Sequence, residues 1–190
     1  MRDMAGIREA QRAEMTARIL QSAHRQIAEH GTLAMRAVAR DVGLVSSAVF
    51  RYYPTRESLL TAMIIESYEG LANVVGDAVA GASGADAERW SAGVGALRGW
   101  AIEKPHEFQL IYGTPIPGYQ APPETIPAAA AAAAPLLDLC TDQEQGIAEL
   151  AQVIGFVGLE LARHFVGAVA DPDALFASMT RRQAATLFDT

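Results

Sequence analysis

The stretch TLAMRAVARDVGLVSSAVFRYYPTRESLL, Thr32 to Leu60, decides the fold. Val38 and Val42 fall one helical turn apart, with Arg36 and Arg40 on the other face, so the spacing predicts a short helix over 34–42. Gly43 ends it and permits the backbone of a tight turn. A second short helix fits 46–52 and must stop before Pro54. Ala39 is small where the two helices approach, and Val38, Val42, Leu44 and Val49 can hold the pair together. The outward face of the second helix is then free to enter a groove. Two short helices joined by a glycine turn, ahead of a long helix, are the sequence form of a helix-turn-helix.

Helical spacing continues on both sides. Before the motif, Met15, Ile19, Leu20, Ala23 and Ile27 line one face of a helix over 7–30, and Gly31 is its natural stop. After it, Thr55 can cap a long helix over 56–80, with Glu57 in the first turn and Leu60, Ile64, Tyr68, Leu71, Val75 and Val79 down one side. A Gly/Ala/Ser loop at 81–85 precedes a helix holding Trp90, Val94, Leu97 and Ala101, which Pro105 ends. A short helix then carries Phe108, Leu110 and Ile111. The five prolines of GTPIPGYQAPPETIP, 113–127, argue against helix there. An alanine run at 128–134 and an apolar stretch to Leu139 follow, then helices over 143–169 and 172–188. The last opens on a clear signal: Asp171 as cap, Pro172 at the first position and Asp173 in the first turn. No alternating strand pattern or internal repeat occurs. The expected fold is all-α, about nine helices, with a three-helix helix-turn-helix domain over 1–55 and a larger helical domain over 56–190.

Charge divides at the same place. Residues 1–60 carry nine arginines against six acids, a net of +3, whereas residues 61–190 carry six basic residues against sixteen acids, a net of −10. A basic head on an acidic body suits a chain of which only one end meets phosphates. Solvated acidic helices downstream would give the same asymmetry, so charge alone does not decide. The single cysteine, Cys140, can form neither an internal disulfide nor a cysteine zinc site, and the first fifteen residues have no apolar signal region, so a cytoplasmic setting is expected. A lone Cys is also a possible redox sensor, though such a residue is usually a small hydrophobe. The apolar run Val153–Ala170 contains Glu160, Arg163 and His164 and reads as a buried helix rather than a membrane span. His106 and His164 stand without neighbours at metal-ligand spacing, so no metal and no cofactor are expected.

On these residues the first sixty positions resemble the tetracycline-repressor (TetR) family of bacterial regulators: Ile19-Leu20 and Ala23, Gly31, Val38-Ala39, Gly43, Phe50-Arg51-Tyr52-Tyr53, and Arg56 through Leu59-Leu60. The resemblance implies that the second short helix lies in the major groove of double-stranded operator DNA. It matches Arg36 to a base-reaching position, Tyr52 and Arg56 to phosphate contacts, and Ser46, Ser47 and Ala48 to the reading face; Arg51 belongs to the same set. Three departures stand out. Phe50 replaces the usual Tyr and loses a phosphate hydroxyl. Val45 occupies the usual Ser cap, which weakens the helix start or shifts its cap to Ser46. Arg56 replaces the commoner Lys and keeps its charge.

More weakly, RGWAIEKPHEFQLIYGTPIPGY and VIGFVGLELARHFVG resemble a C-terminal class of that family named for a Trp-His-Gly motif. Trp100, Pro105, Phe108, Pro117-Gly118-Tyr119, Leu159-Glu160 and His164-Phe165 carry it, while Ile154-Gly155 stand where His-Gly would be. The resemblance implies that 56–190 is a ligand-binding and dimerisation domain, with a homodimer built from the last two helices. Small residues at helical steps (Ala151, Gly155, Gly158, Ala162) and the apolar Leu175, Phe176, Met179 and Leu187 are the candidates for its interface; an intrachain core is the alternative. Met63, Tyr68, Trp100, Phe108, Tyr112 and Phe156 are candidate lining of an effector pocket, or packing. The expected function is a sequence-specific repressor released by a small, largely apolar effector. The alternatives are a helical interaction module without DNA binding, or a small enzyme. Against the enzyme, the chain lacks G-x-S-x-G, a phosphate-cradling glycine loop and H-E-x-x-H.

Overall fold

The computed structural model describes the backbone of residues 2–188 and the side chains of residues 6–188. Its elements are α1 (Arg2–His30), α2 (Met35–Asp41), α3 (Ser46–Val49), α4 (Arg56–Gly81), α5 (Asp86–Glu103), α6 (Pro105–Tyr112), α7 (Ile126–Leu137), α8 (Gln143–Leu161) and α9 (Pro172–Phe188), with a 3-10 turn at Pro123–Thr125. The architecture is all-α, as the periodicity predicts. Two compact units emerge, Met1–Ile64 and Ile65–Thr190, and the division falls inside α4.

In the first unit α1 packs on α2 and α2 on α3. Ile19, Ala23, Val38, Ala39, Val49, Leu59 and Leu60 are almost wholly buried. Each large aliphatic among them contributes roughly 1.5–3 kcal/mol by leaving water. α2 ends in a Schellman motif: the N–H of Gly43 donates to Arg40 O (3.1 Å) and that of Leu44 to Ala39 O (2.8 Å), with Gly43 at φ 74°. The start of α4 is capped reciprocally. Ser58 N–H donates to Thr55 Oγ1 (3.0 Å), and Thr55 N–H donates to Ser58 Oγ (3.1 Å).

In the second unit α5 is the central helix, packed against α6, α7, α8 and α9. Trp90, Val94, Leu97, Trp100 and Ala101 bury its inner face. A Cβ at Gly93 would lie 2.7 Å from Leu136 Cδ2 and from Val79 Cγ2, so glycine allows α5 to approach α4 and α7 closely. One ionic cluster joins α5, α8 and α9. Arg98 donates to both carboxylate oxygens of Glu160 (Nε, 2.8 Å; Nη2, 2.6 Å) and to Asp173 (2.6 Å). Its guanidinium lies 4.9 Å from the Phe176 ring centroid. Glu160 above all, then Asp173, pushes the Arg98 pKa still higher against the opposing effect of burial.

Three segments differ from the periodicity. α8 stops at Leu161 instead of running to 169. Arg163 N–H donates to Glu160 O and His164 N–H to Leu159 O, another Schellman motif, but with Arg163 rather than glycine at φ 63°. The second short helix is only Ser46–Val49, and turns carry the chain through 50–52. The proline-rich segment is helical at its end: Pro123 opens the 3-10 turn and Pro127 sits in the first turn of α7, where its missing N–H costs nothing. No helix among the described residues is long and apolar enough to cross a membrane.

Candidate nucleic-acid interface

α2 and α3 form a rigid corner whose inner side is apolar and whose outer side is polar. Val38, Ala39, Val42, Ala48 and Val49 are buried, while Arg36, Arg40, Ser46, Ser47 and Arg51 are exposed. Ala48 is the exception to the expected reading face: it is only 4% exposed, on the inner side of α3 with Val49. α3 starts at Val45 without a side-chain cap, and the cap does not shift to Ser46. Val45 (71% exposed) and Phe50 (44%) flank the polar residues as bare apolar groups.

Tyr52 and Arg56 are half-buried because they also serve the fold. The guanidinium of Arg12 lies 5.3 Å from the Tyr52 ring centroid and donates to Arg51 O at 3.2 Å, which steadies the segment after α3. Arg56 Nε donates to Leu33 O (3.2 Å), fixing the approach to α2, and Arg18 Nη2 donates to Val42 O (3.2 Å) at its end. Below them, Ser22 Oγ (3.0 Å) and Gln26 Nε2 (3.4 Å) donate to Asp41 Oδ2, and Gln26 Oε1 accepts from Ala34 N–H (3.3 Å). Gln26 therefore ties both ends of α2 to α1. The hydrogen bonds from Ser22 first, then Gln26, hold the Asp41 carboxyl below its ordinary pKa. The roles of Arg12, Arg18, Ser22 and Gln26 have no sequence signal, because their hydrogen-bond partners lie 8 to 39 residues away.

What this surface can do follows from its groups. Arginine presents two donors to guanine, serine and tyrosine hydroxyls hold phosphate oxygens, and an aliphatic group meets the thymine methyl.

The second unit places the remaining candidates. Tyr68 of α4 and Tyr112 of α6 line a cleft of about 250 Å³, with Ala129, Ala133 and Leu137 of α7. Its fourth side is α8, through Ile147, Leu150, Ala151 and Ile154. Trp100, Phe108 and Phe156 belong to the hydrophobic core and do not line this cleft, and Met63 is fully buried in the first unit. On α8, Ala151 and Gly155 are exposed and Gly158 is half-buried, beside the bare Ile147 (55%) and Leu159 (48%), and Ala162, the C-cap just past its end, is exposed too. Leu175 is exposed as well, whereas Met179 and Leu187 are half-buried against the core. Phe176, an interface candidate, packs instead within its own chain, 5.2 Å from Phe156 and beneath Arg98.

Two family profiles match the chain. That of the bacterial regulatory proteins of the tetR family covers residues 19–63, and that of the tetracyclin repressor-like C-terminal domain covers residues 90–183. The HTH-type transcriptional regulators Rv1816 of Mycobacterium tuberculosis and Mb1846 of Mycobacterium bovis are each 41% identical over 125 residues, covering 63% of this chain and 52% of theirs. The chain thus spans about half the length of the curated relatives it matches. Among solved structures, the regulatory protein SCO4313 superimposes with a TM-score of 0.83 at 29% identity, over 92% of this chain and 97% of that one. A protein with unknown function from Rhodococcus sp. RHA1 shares the fold, with a TM-score of 0.79 at 20% identity over 91% of this chain and 95% of that one.

Proposed function

As the chain belongs to the TetR family of bacterial transcriptional regulators, we propose that it is a sequence-specific, DNA-binding repressor that works as a cytoplasmic homodimer and is released by a small, largely apolar effector. The observation that carries this reading is the exposed set Arg36, Ser46, Ser47 and Arg51 on a corner whose other face is locked in the core. Arg36 and the two serines are assigned to base edges and the groove wall, with Arg51, Tyr52 and the free Nη groups of Arg56 assigned to phosphates. The uncovered small and apolar residues of α8, with Leu175 of α9, support a second copy as dimer partner. Two reading helices held about 34–36 Å apart then meet successive major grooves. Effector binding in the second unit releases the DNA by favouring a dimer in which that spacing no longer fits, which requires different affinity for the two arrangements.

The test is a salt series of binding to DNA from upstream of the chain's own gene and to a scrambled duplex. Preference for the upstream DNA, with log K falling against log salt by about 0.9 per phosphate neutralised, is the expected result. Equal binding to both duplexes at every salt concentration, with wider genomic fragments included, would replace this reading with a helical interaction module.

A further inference from the structure

Two apolar groups stand bare on the outer side of the helix-turn-helix corner. Val45 is the N-cap of α3, with extended backbone (φ −71°, ψ 146°) and a side chain that makes no capping bond, and it is 71% exposed. A serine, threonine or aspartate there would bond a free N–H of the first turn, and an aliphatic residue gives that stabilisation up. Phe50, the C-cap, is 44% exposed. Helical spacing puts Ser46 and Ser47 beside Phe50, four and three residues away, and Arg51 beside Ser47. The outward strip of α3 therefore consists of two apolar groups, two hydroxyls and one guanidinium.

The composition of this strip limits which bases it can recognise. Adenine is read by the paired donor and acceptor of an Asn or Gln amide, and cytosine by an Asp or Glu acceptor. None of these four residue types stands between Val45 and Tyr53. Serine hydroxyls bond either kind of base edge and so discriminate little, while arginine addresses guanine or phosphate. The one apolar feature in the major groove is the 5-methyl group of thymine. Val45 and Phe50 are its complement. At about 1.5 Å of rise per residue they stand roughly 7–8 Å apart along α3, about two base steps of 3.4 Å, so they meet different base pairs. Two separate side chains set among hydroxyls and guanidiniums do not form the continuous apolar patch that marks a protein-binding surface. The net charge of +3 over residues 1–60 also complements phosphate.

We propose that α3 reads thymine methyl groups through Val45 and Phe50, so that each operator half-site carries thymines at the two positions these side chains meet. This rests on the DNA-binding reading above and deepens it by naming the base feature that is recognised.

The test starts from duplexes that the full chain selects out of a randomised pool. Single thymines of one enriched half-site are then replaced by deoxyuridine, which removes the 5-methyl group and nothing else. Thymines are expected at two positions about two base steps apart, and each replacement should weaken binding about fourfold, the worth of one buried methyl-sized group. Val45→Ser should bind the thymine and uracil forms equally at one of these positions and keep the preference at the other. Phe50→Ala should do the reverse. A substitution that only disturbed the fold would weaken binding to every duplex and leave both ratios unchanged. Val45→Ser also restores a cap, so its melting midpoint should rise by about 2–4 °C, which separates lost discrimination from lost fold. Selected sites without shared thymines, uracil forms that bind as tightly as the thymine forms, or variants that keep both ratios would each overturn the proposal. Uracil indifference together with altered sedimentation of the free variants would assign the two groups to a contact between copies of the chain instead. Specific selection without a methyl effect sinks the methyl contacts alone. No enrichment of any sequence sinks the regulator reading, and this proposal with it.

Discussion

The two units use arginine in opposite ways. In the first, Arg12, Arg18 and Arg56 donate to the backbone carbonyls of Arg51, Val42 and Leu33. In the second, Arg98 is shared between the carboxylates of Glu160 and Asp173. A carbonyl satisfies a guanidinium donor without cancelling its charge, whereas two carboxylates more than cancel it. The first unit is thus braced by bonds that leave its cations free to attract phosphate. The second is braced by a closed ionic cluster, and among its exposed residues it leaves large apolar groups uncovered, Ile147, Leu159 and Leu175 among them. The lesson is that how a unit is held together constrains what it can meet. Charge left uncompensated suits a nucleic acid; bare aliphatic surface suits another protein surface or an apolar ligand.

Five tests, taken in descending order of effect, bear on this contrast. The largest effect is expected from Gly155→Leu. A Cβ there meets nothing within 4 Å in its own chain, so the fold should tolerate it, whereas a helix packed closely on this face should not. Overpacking at the two symmetry-related copies costs about 2–6 kcal/mol of dimer affinity, read by sedimentation equilibrium. Gly99→Leu, at an equally open site on α5, should leave the dimer intact, and equal behaviour of the two variants would remove α8 from the interface. Arg98→Met comes next. It strands Glu160, which is 17% exposed, and should lower stability by about 3 kcal/mol, a melting shift of roughly 6–12 °C. A shift within 2 °C of the parent, on the order of a surface substitution, would mean the cluster is ornamental.

The third concerns the first unit's outer face. Arg36→Ala should cost about 1–3 kcal/mol on the preferred duplex and relax base preference, while Arg56→Ala weakens all sequences alike and also loosens the approach to α2. Uniform losses for both would demote Arg36 to a phosphate contact. A smaller pair tests the two helix stops. Gly43→Ala places a side chain at φ 74° and should destabilise by about 1–2 kcal/mol; Arg163→Gly relieves the same strain at φ 63° and should stabilise by about 1 kcal/mol in thermal unfolding. The smallest effect is on pH. Asp41 has its pKa depressed by folding, so its contribution is present above the unfolded value near 4 and is lost as pH falls through the lower native value. Asp41→Asn should flatten that acid limb in a denaturation series, and an unaltered slope would show that Ser22 and Gln26 do not favour the charged form.

Those two stops also explain what could be read in advance. The hydrogen bonds that end α2 and α8 are the same pattern, yet only the first was legible, because glycine at 43 advertises φ above zero and arginine at 163 does not. The run of apolar residues past Leu161 therefore looks like continued helix to 169. Similarly, Ala48 lies at a reading-face position by sequence but is turned inward by the packing of α2 on α3. Of the six residues expected to line a pocket, Tyr68 and Tyr112 line the cleft, and its remaining walls are alanines and aliphatics that local pattern assigns to packing.

By itself, the sequence determined the all-α class, the helix-turn-helix corner, the glycine stops at 31 and 43, the Asp171 cap of the last helix, and the basic head on an acidic body. Each depends on neighbours within a few residues or on counting charges, and such signals survive in one dimension. Only the tertiary structure decided that Arg98 meets Glu160 and Asp173, that Gln26 ties down both ends of α2, and that two tyrosines from α4 and α6 face an apolar slot. In these cases the partners lie between 8 and 75 residues apart. Hydrogen bonds and burial act at distances of a few ångströms, so such pairs become visible only when packing has brought their helices together.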